Sequence, residues 1–500
     1  METAIEVPFT DSQNNKSPSI KKNYIYSTLL NFSTIFFPLI TYPYIARVLG
    51  PTYVGKVVFA LTFVGYFVIF GNLGLPLYGV REIAKVRHSK EDLEKKFSQL
   101  FILNLLSLSV FTIIYLIVIS FFDTQEFTLY IIVGLALLLN IIHIQWFYQG
   151  IENYKFITFS NLFFQLISLL IIILFINNPE SYNFYALALV LNLYGAGILN
   201  FIYCFKYSKL KFKYGISFET LKHALALFSV TIVVNIYFNL DKFLLGLLEN
   251  DIYLGYYSSS IQIVRIVVVI VTSLGLVLTP RISYYIKHNQ LDDFAQVARY
   301  SLLFILWIGI PATVGIYLYA KEIILIFAGD QFLEAVPALE ILSPAILCIA
   351  LSNFFGLQIL VPNHRDKALF FASVIGLIVS LTSNLLLIPP YKHLGTAFST
   401  LLTEFSVFFI SALFGIKYIS LKQFITPLIR YLAGSVGIIF IIFFVKSAIS
   451  SIILSLAIGI PLSVIFYILF LLLVKDPLTY EGISLIDQFA KKYIFKSNTG

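Results

Sequence analysis

The chain has 500 residues, of which 59% are hydrophobic and only 12% charged, a balance that excludes an ordinary soluble globular protein. Its net charge of +8 is accounted for by loop lysines and arginines, so no nucleic-acid partner is implied. Two cysteines, Cys204 and Cys348, both inside apolar runs, supply no disulfide or metal framework. What remains is an all-α integral membrane protein, whose 17% aromatic content suits interfacial belts or the lining of a sugar-binding cavity.

Residues 1–22 are polar and lack the short apolar run of a cleavable signal, so they are expected to form a cytoplasmic segment. A bilayer core needs about 20 apolar residues per helix. That ruler places spans near 24–49, 54–79, 98–122, 127–148, 156–177 and 183–205. Further spans fall near 223–248, 253–279, 300–320, 335–361, 368–389, 395–416, 428–446 and 451–474. The expected architecture has about 14 transmembrane helices, as two pseudo-symmetric six-helix lobes plus two C-terminal helices. The N-lobe covers 23–206, a basic cytoplasmic linker 207–222, the C-lobe 223–416 and helices 13 and 14 425–474. Residues 475–500 form a cytoplasmic tail.

Positive charge supports this order. Alternate loops hold most of the lysines and arginines, including the run from Arg81 to Lys96 and the linker lysines Lys206, Lys209, Lys211 and Lys213. The opposite loops hold only Lys56, Lys321, Lys392 and Lys446. By the positive-inside rule both termini are then cytoplasmic, and contact with anionic membrane lipids follows as a secondary effect. Three cations remain within spans: Arg47, Lys242 and Arg265.

A weak self-similarity recurs at an offset near 200 residues. "TYVG" at Thr52–Gly55 faces "IYLG" at Ile252–Gly255, and "NLGLPLYGVR" (Asn72–Arg81) faces "SLGLVLTPR" (Ser273–Arg281). Six helices per half, each half starting on the same side, make a parallel repeat, an arrangement that leaves a cavity between two lobes.

Five motifs then carry a resemblance: "PYIARVLGPTYVGKVVFA" (Pro43–Ala60), "WFYQGIENYKFI" (Trp146–Ile157), "LDKFLLGLLENDIYLGYYSSSIQI" (Leu240–Ile263), "LTPRIS" (Leu278–Ser283) and "SNLLLIPPYKHLGTAFSTLLTE" (Ser383–Glu404). In this order they resemble the polysaccharide-transporter branch of the multidrug/oligosaccharidyl-lipid/polysaccharide exporter superfamily. The resemblance implies flipping of a polyprenyl-diphosphate-linked oligosaccharide, such as an O-antigen (lipopolysaccharide) or capsule repeat unit, across a bacterial inner membrane. It also implies contact with other polysaccharide-assembly membrane proteins.

Polar residues inside the spans gain meaning from that cargo. Ser27, Asn31, Thr34 and Thr41 share one face of the first span, Thr231, Asn235, Asn239 and Lys242 one face of the seventh, and Ser258, Gln262, Arg265 and Thr272 one face of the eighth. Two readings stand: the lining of a hydrated cavity, or interhelical hydrogen-bond glue. A diphosphate cannot cross hydrocarbon unpaired, and a guanidinium suits phosphate through paired planar hydrogen bonds. Arg265, about 16 Å below the end of its span at 1.5 Å per residue, is therefore the leading headgroup ligand. Arg47, Lys242, Gln262, Asn235, Asn239 and Asn31 accompany it, although Arg47 near a span end can also snorkel.

Asp241 lies about 100° around the helix from Lys242, off the polar stripe. In relatives a carboxylate on the seventh helix joins polar groups of the eleventh and twelfth around a coupling cation. Asn384 matches that pattern and Thr396 and Thr400 are available, but Ile388 stands where a second acid is expected. Coupling to Na+, or to H+ through Asp241 or Glu404, both stay open, as does a pair of Asp241 and Lys242 that only fixes packing. Trp146, one turn from His143, reads as an interfacial anchor rather than a sugar platform. Without a P-loop, metal spacing or nucleophile–base constellation the chain reads as a transporter and not an enzyme. The alternatives are a multidrug antiporter of the same superfamily, or a membrane-embedded glycan polymerase or transferase.

Overall fold

The computed structural model describes residues 20–122, 126–215, 218–420 and 422–481. The N-terminal segment up to residue 19 and the tail from residue 482 lie outside the described residues, which contain helices and no strands. Two compact units divide the chain, Met1–Phe243 and Leu244–Gly500. Ten helices are long and apolar enough to cross a membrane, or eleven when the bent pair 330–342 and 345–360 counts as one. The protein is thus an all-α, multi-pass membrane protein, and the expected count of 14 is not reached by length and composition alone.

Helix breaks explain much of that difference. α1 (Ile20–Asn72) spans two of the expected helices, and Gly50 inside it is non-helical at φ 71°. Pro51 follows, where a helix can restart because its first turn needs no proline N–H. α1 ends at Leu73 and Gly74, both with positive φ, and α2 (Leu75–Val86) begins with Pro76 in its first turn. α3 (Lys90–Ile119) starts at Ser89, whose side chain accepts from the Asp92 N–H. α4 (Phe127–Ile142) stops at His143, where Asn104 Nδ2 donates to the carbonyls of Asn140 and Ile141 at 3.4 and 3.0 Å. A side chain from α3 thereby satisfies acceptors that a helix end leaves open.

α5 (Gln145–Gly150) holds the "WFYQG" motif and packs on α2. Trp146 is 4% exposed, and a Cβ at Gly79 would come within 2.6 Å of its ring. The expectation of an interfacial anchor is corrected: a glycine on α2 opens the space that takes the indole into the core with Phe97 and Phe147. α6 (Tyr154–Phe175), α7 (Tyr182–Tyr194) and α8 (Ala196–Cys204) complete the bundle around α1. The basic linker is strapped to α3, because Lys211 pairs with Glu94 and its N–H donates to Ser98 Oγ at 2.9 Å. α9 (Phe218–Leu248) crosses the boundary between units. Up to Phe243 it belongs to the first, where Phe243 meets Tyr66 edge-on at 5.0 Å.

In the second unit, α10 (Asp251–Lys287) packs against α11 (Leu291–Leu318), α13 (Val336–Leu342) and α14 (Ala345–Asn353). Between α11 and α13 lies α12 (Ala320–Phe327), and a π-helical stretch, Phe354–Leu360, follows α14. α15 (Asp366–Gly415) contains Pro389, Pro390 and a non-helical Lys392. The Ser383 and Ser399 hydroxyls are 2.6 Å apart. A straight helix would separate them by about 24 Å, so the chain doubles back at Lys392. α16 (Lys422–Ala448) packs on α11 and on α17 (Ile452–Leu473), and α17 is tied to α11 through Tyr467, whose hydroxyl donates to the Trp307 carbonyl at 3.0 Å.

Candidate functional site

The expected site residues divide into exposed groups and one buried cluster. On α1, Asn31 and Arg47 are exposed, and Arg47 Nη1 donates to the Pro43 carbonyl one turn back at 2.7 Å. They are separated by roughly four helical turns and do not form one site. On α9, Asn239 Nδ2 donates to the Asn235 carbonyl at 3.2 Å, while Asp241 and Lys242 are half-buried. The side chain of Thr231 lies outside the described residues.

Arg265 is exposed and Gln262 half-buried on α10, while Ile261, Val264 and Val268 within a turn of Arg265 are packed inside the unit. The guanidinium therefore sits at the edge of the packed part of this helix. The three polar stripes are not uniform, for Thr41 and Ser258 are buried while Asn31, Thr34 and Asn235 are exposed.

The two arms of α15 gather the second set. Asn384, Thr396, Thr400 and Glu404 are all buried, at 0%, 0%, 5% and 8% exposure. Asn384 Nδ2 donates to the Ser380 carbonyl at 2.9 Å, and the Tyr257 hydroxyl of α10 lies 2.9 Å from Thr400 Oγ1. Ser380, Ser383, Ser399, Thr403 and Tyr257 join this seam without having been singled out in the sequence. Their signal was present as spacings of three and four along each arm, but serines in a membrane helix read equally as packing residues. Among the described residues, no three His, Cys, Asp or Glu side chains form a metal-binding group. A hard monovalent cation would draw on oxygens instead, and Thr396 and Thr403 present buried hydroxyls without a hydrogen-bond partner among the described residues. The donor set fits such an ion.

Comparison with known proteins decides the family. The profile described as "Polysaccharide biosynthesis protein" matches residues 20–286, more than half of the chain. The chain belongs to the polysaccharide biosynthesis protein family. A second profile, MatE, matches residues 226–386 of this family member. A protein of Escherichia coli K12 named as an O-antigen transporter is 25% identical over 402 residues, covering 78% of this chain and 95% of its own. The capsular polysaccharide biosynthesis protein CapF of Staphylococcus aureus is 24% identical over 395 residues, covering 77% and 96%.

Among solved structures, the lipid II flippase MurJ in an inward closed conformation has a TM-score of 0.71 at 16% identity, covering 91% of this chain and all of its own. An inward-facing multidrug resistance MATE transporter has a TM-score of 0.64 at 12% identity, covering 79% and 97%. The polysaccharide biosynthesis family member therefore shares its helical fold with both.

Proposed function

We propose that this protein is a flippase for polyprenyl-diphosphate-linked oligosaccharide repeat units of a surface polysaccharide, O-antigen or capsule. It works by alternating access in the bacterial cytoplasmic membrane, with both termini on the cytoplasmic side. Relatives named for O-antigen and capsule, matched over nearly their whole lengths, support the cargo class. The observation that carries the reading is this match to relatives named for O-antigen and capsule, with Arg265, exposed on α10, proposed as the cation that meets the headgroup. A cation at such depth is costly unless it meets water or an anion, and a diphosphate is the anion this cargo brings.

The oxygens of Asn384, Thr396 and Thr400, with the carboxylate of Glu404, are assigned to a coupling Na+ or H+, and Asp241 is the alternative proton-coupling group. Asp241→Asn and Glu404→Gln in vesicles under an imposed Na+ or H+ gradient test that assignment, and gradient-responsive flux in both variants refutes it. Other polysaccharide-assembly membrane proteins are the expected partners.

Purified protein in vesicles is tested for transfer of a lipid-linked oligosaccharide between leaflets. Arg265→Ala is expected to cut flux about a hundredfold, from about 3 kcal/mol of charge-assisted hydrogen bonding, and Arg265→Lys to restore part of it. Wild-type flux in correctly inserted Arg265→Ala overturns the reading. The MatE match favours one alternative, export of organic cations; cation-specific flux without headgroup flux would establish it.

A further inference from the structure

In the first unit, at the breaks between α1 and α2 and between α4 and α5, lies a cavity of about 240 Å³ that the coupling and headgroup residues do not touch. Its polar wall consists of Asn72, Asn104, Asn140, His143, Gln145 and Gln149, with Trp146 and Pro76 beside them. No lysine, arginine, aspartate or glutamate lines it.

Asn104 is committed to capping α4. The side-chain amides of Asn72, Asn140, Gln145 and Gln149 bond to no other described residue, and His143 Nε2 has no hydrogen-bond partner either. Asn72, Gln145 and Gln149 are half-buried and Asn140 buried, so four amides without a protein partner turn donors and acceptors toward one recess that a polar ligand can enter. An anion would require cations in the wall, and a cation would require carboxylates. Amides both donate and accept, which matches hydroxyl groups that also do both.

We infer that this cavity is a binding site for one neutral sugar ring, a polyol held by the amides of Asn72, Asn140, Gln145 and Gln149. Its volume is below the about 300–1,000 Å³ of pockets that take drug-sized ligands, so it holds a single ring rather than an oligosaccharide. The identification of that ring as part of the transported headgroup rests on the flippase reading.

The test uses the full chain in lipid nanodiscs, with a panel of neutral methyl glycosides of glucose, galactose, mannose and N-acetylglucosamine as probes. Binding is followed by saturation-transfer NMR. Gln145→Met and Gln149→Met keep side-chain length, delete both hydrogen-bonding functions and leave the capping residue Asn104 in place. At least one glycoside is expected to saturate on wild type, and each variant to weaken it about tenfold, with melting temperature unchanged.

Absence of saturation by every glycoside on wild type, meaning the pocket holds only water, overturns the inference. So does unchanged affinity in both variants. Flux of lipid-linked oligosaccharide is measured on the same proteins. Reduced flux in the variants supports the assignment to the cargo, and wild-type flux despite lost glycoside binding overturns it. If wild type binds glycosides but moves no lipid-linked cargo, the flippase reading fails while the sugar site stands.

Discussion

The tripeptide Leu-Gly-Leu stands at matching places of the repeat, at Leu73–Leu75 and Leu274–Leu276, and it folds in two different ways. In the first unit Leu73 and Gly74 are left-handed, at φ 46° and 72°, and separate α1 from α2. In the second unit α10 runs from Asp251 to Lys287 without interruption through Leu274 and Gly275. Proline alone does not account for this, since Pro38, Pro43, Pro280, Pro311, Pro427 and Pro461 all sit inside helices. What differs is coincidence. Pro76 follows two residues after a glycine, as Pro51 follows Gly50, whereas the matching position in α10 is Val277.

The neighbours differ as well. A Cβ at Gly74 would come within 2.8 Å of the Phe228 nitrogen and 3.0 Å of the Ala224 oxygen, both backbone atoms of α9. One at Gly275 would come within 2.2 Å of Gln358 Nε2, the end of a side chain. A glycine thus lets a neighbouring backbone approach in one unit and a side chain in the other. A membrane helix breaks where proline, a glycine free to turn left-handed, and a close neighbour occur together.

Four substitutions test this contrast, each read as a change in unfolding free energy in lipid or detergent. Val277→Pro transplants the missing ingredient into α10. It removes a helical N–H and crowds the Ser273 carbonyl, with an expected loss of about 3 kcal/mol or more. A loss below about 1 kcal/mol would mean that α10 breaks as readily as α1. Next comes Gly74→Ala, expected to cost about 2–3 kcal/mol because a left-handed alanine and a backbone overlap add together. Gly65, with nothing within 4 Å of its Cβ position, is the control, and Gly65→Ala should change little.

Gly275→Ala should cost less, about 1–2 kcal/mol, because Gln358 can swing aside at the expense of its bond with Ser301. That bond, Ser301 Oγ to Gln358 Oε1, is 2.6 Å long and buried. Adding Gln358→Ala should cost less than the sum of the single changes, and strict additivity would show that Gly275 does not act through Gln358. The smallest effect is expected for Pro76→Val, which copies the second unit into the first. Gly74 and its α9 contact should hold the turn, leaving stability within about 1 kcal/mol. A larger loss would place the cause of the break in the proline.

The repeat shows the same freedom at its other motif. Tyr53 of "TYVG" stacks on Tyr182 at 5.1 Å, with Lys56 over both rings and paired to Glu126. Tyr253 of "IYLG" stacks on His393 at 5.6 Å, and Lys392 donates to its hydroxyl at 2.6 Å. An aromatic pair with a cation recurs, but the cation comes from different places in the chain. In a one-dimensional reading Lys56 and Lys392 were only loop charges.

Membrane insertion, helical class and most span positions were legible in the sequence, because an apolar run of span length has no other way to satisfy its backbone in lipid. Arg265, Asp241 and Asn384 stood out for the same reason, as polar groups that must be accounted for one residue at a time. Tertiary structure alone decided where helices break, that Trp146 is buried against Gly79, and that Asn72, Asn140, Gln145 and Gln149 line one cavity. Amides scattered over two helix breaks carry no periodicity. Their meaning depends on which of them the fold leaves without a partner, and that is set by contacts between segments distant in the chain.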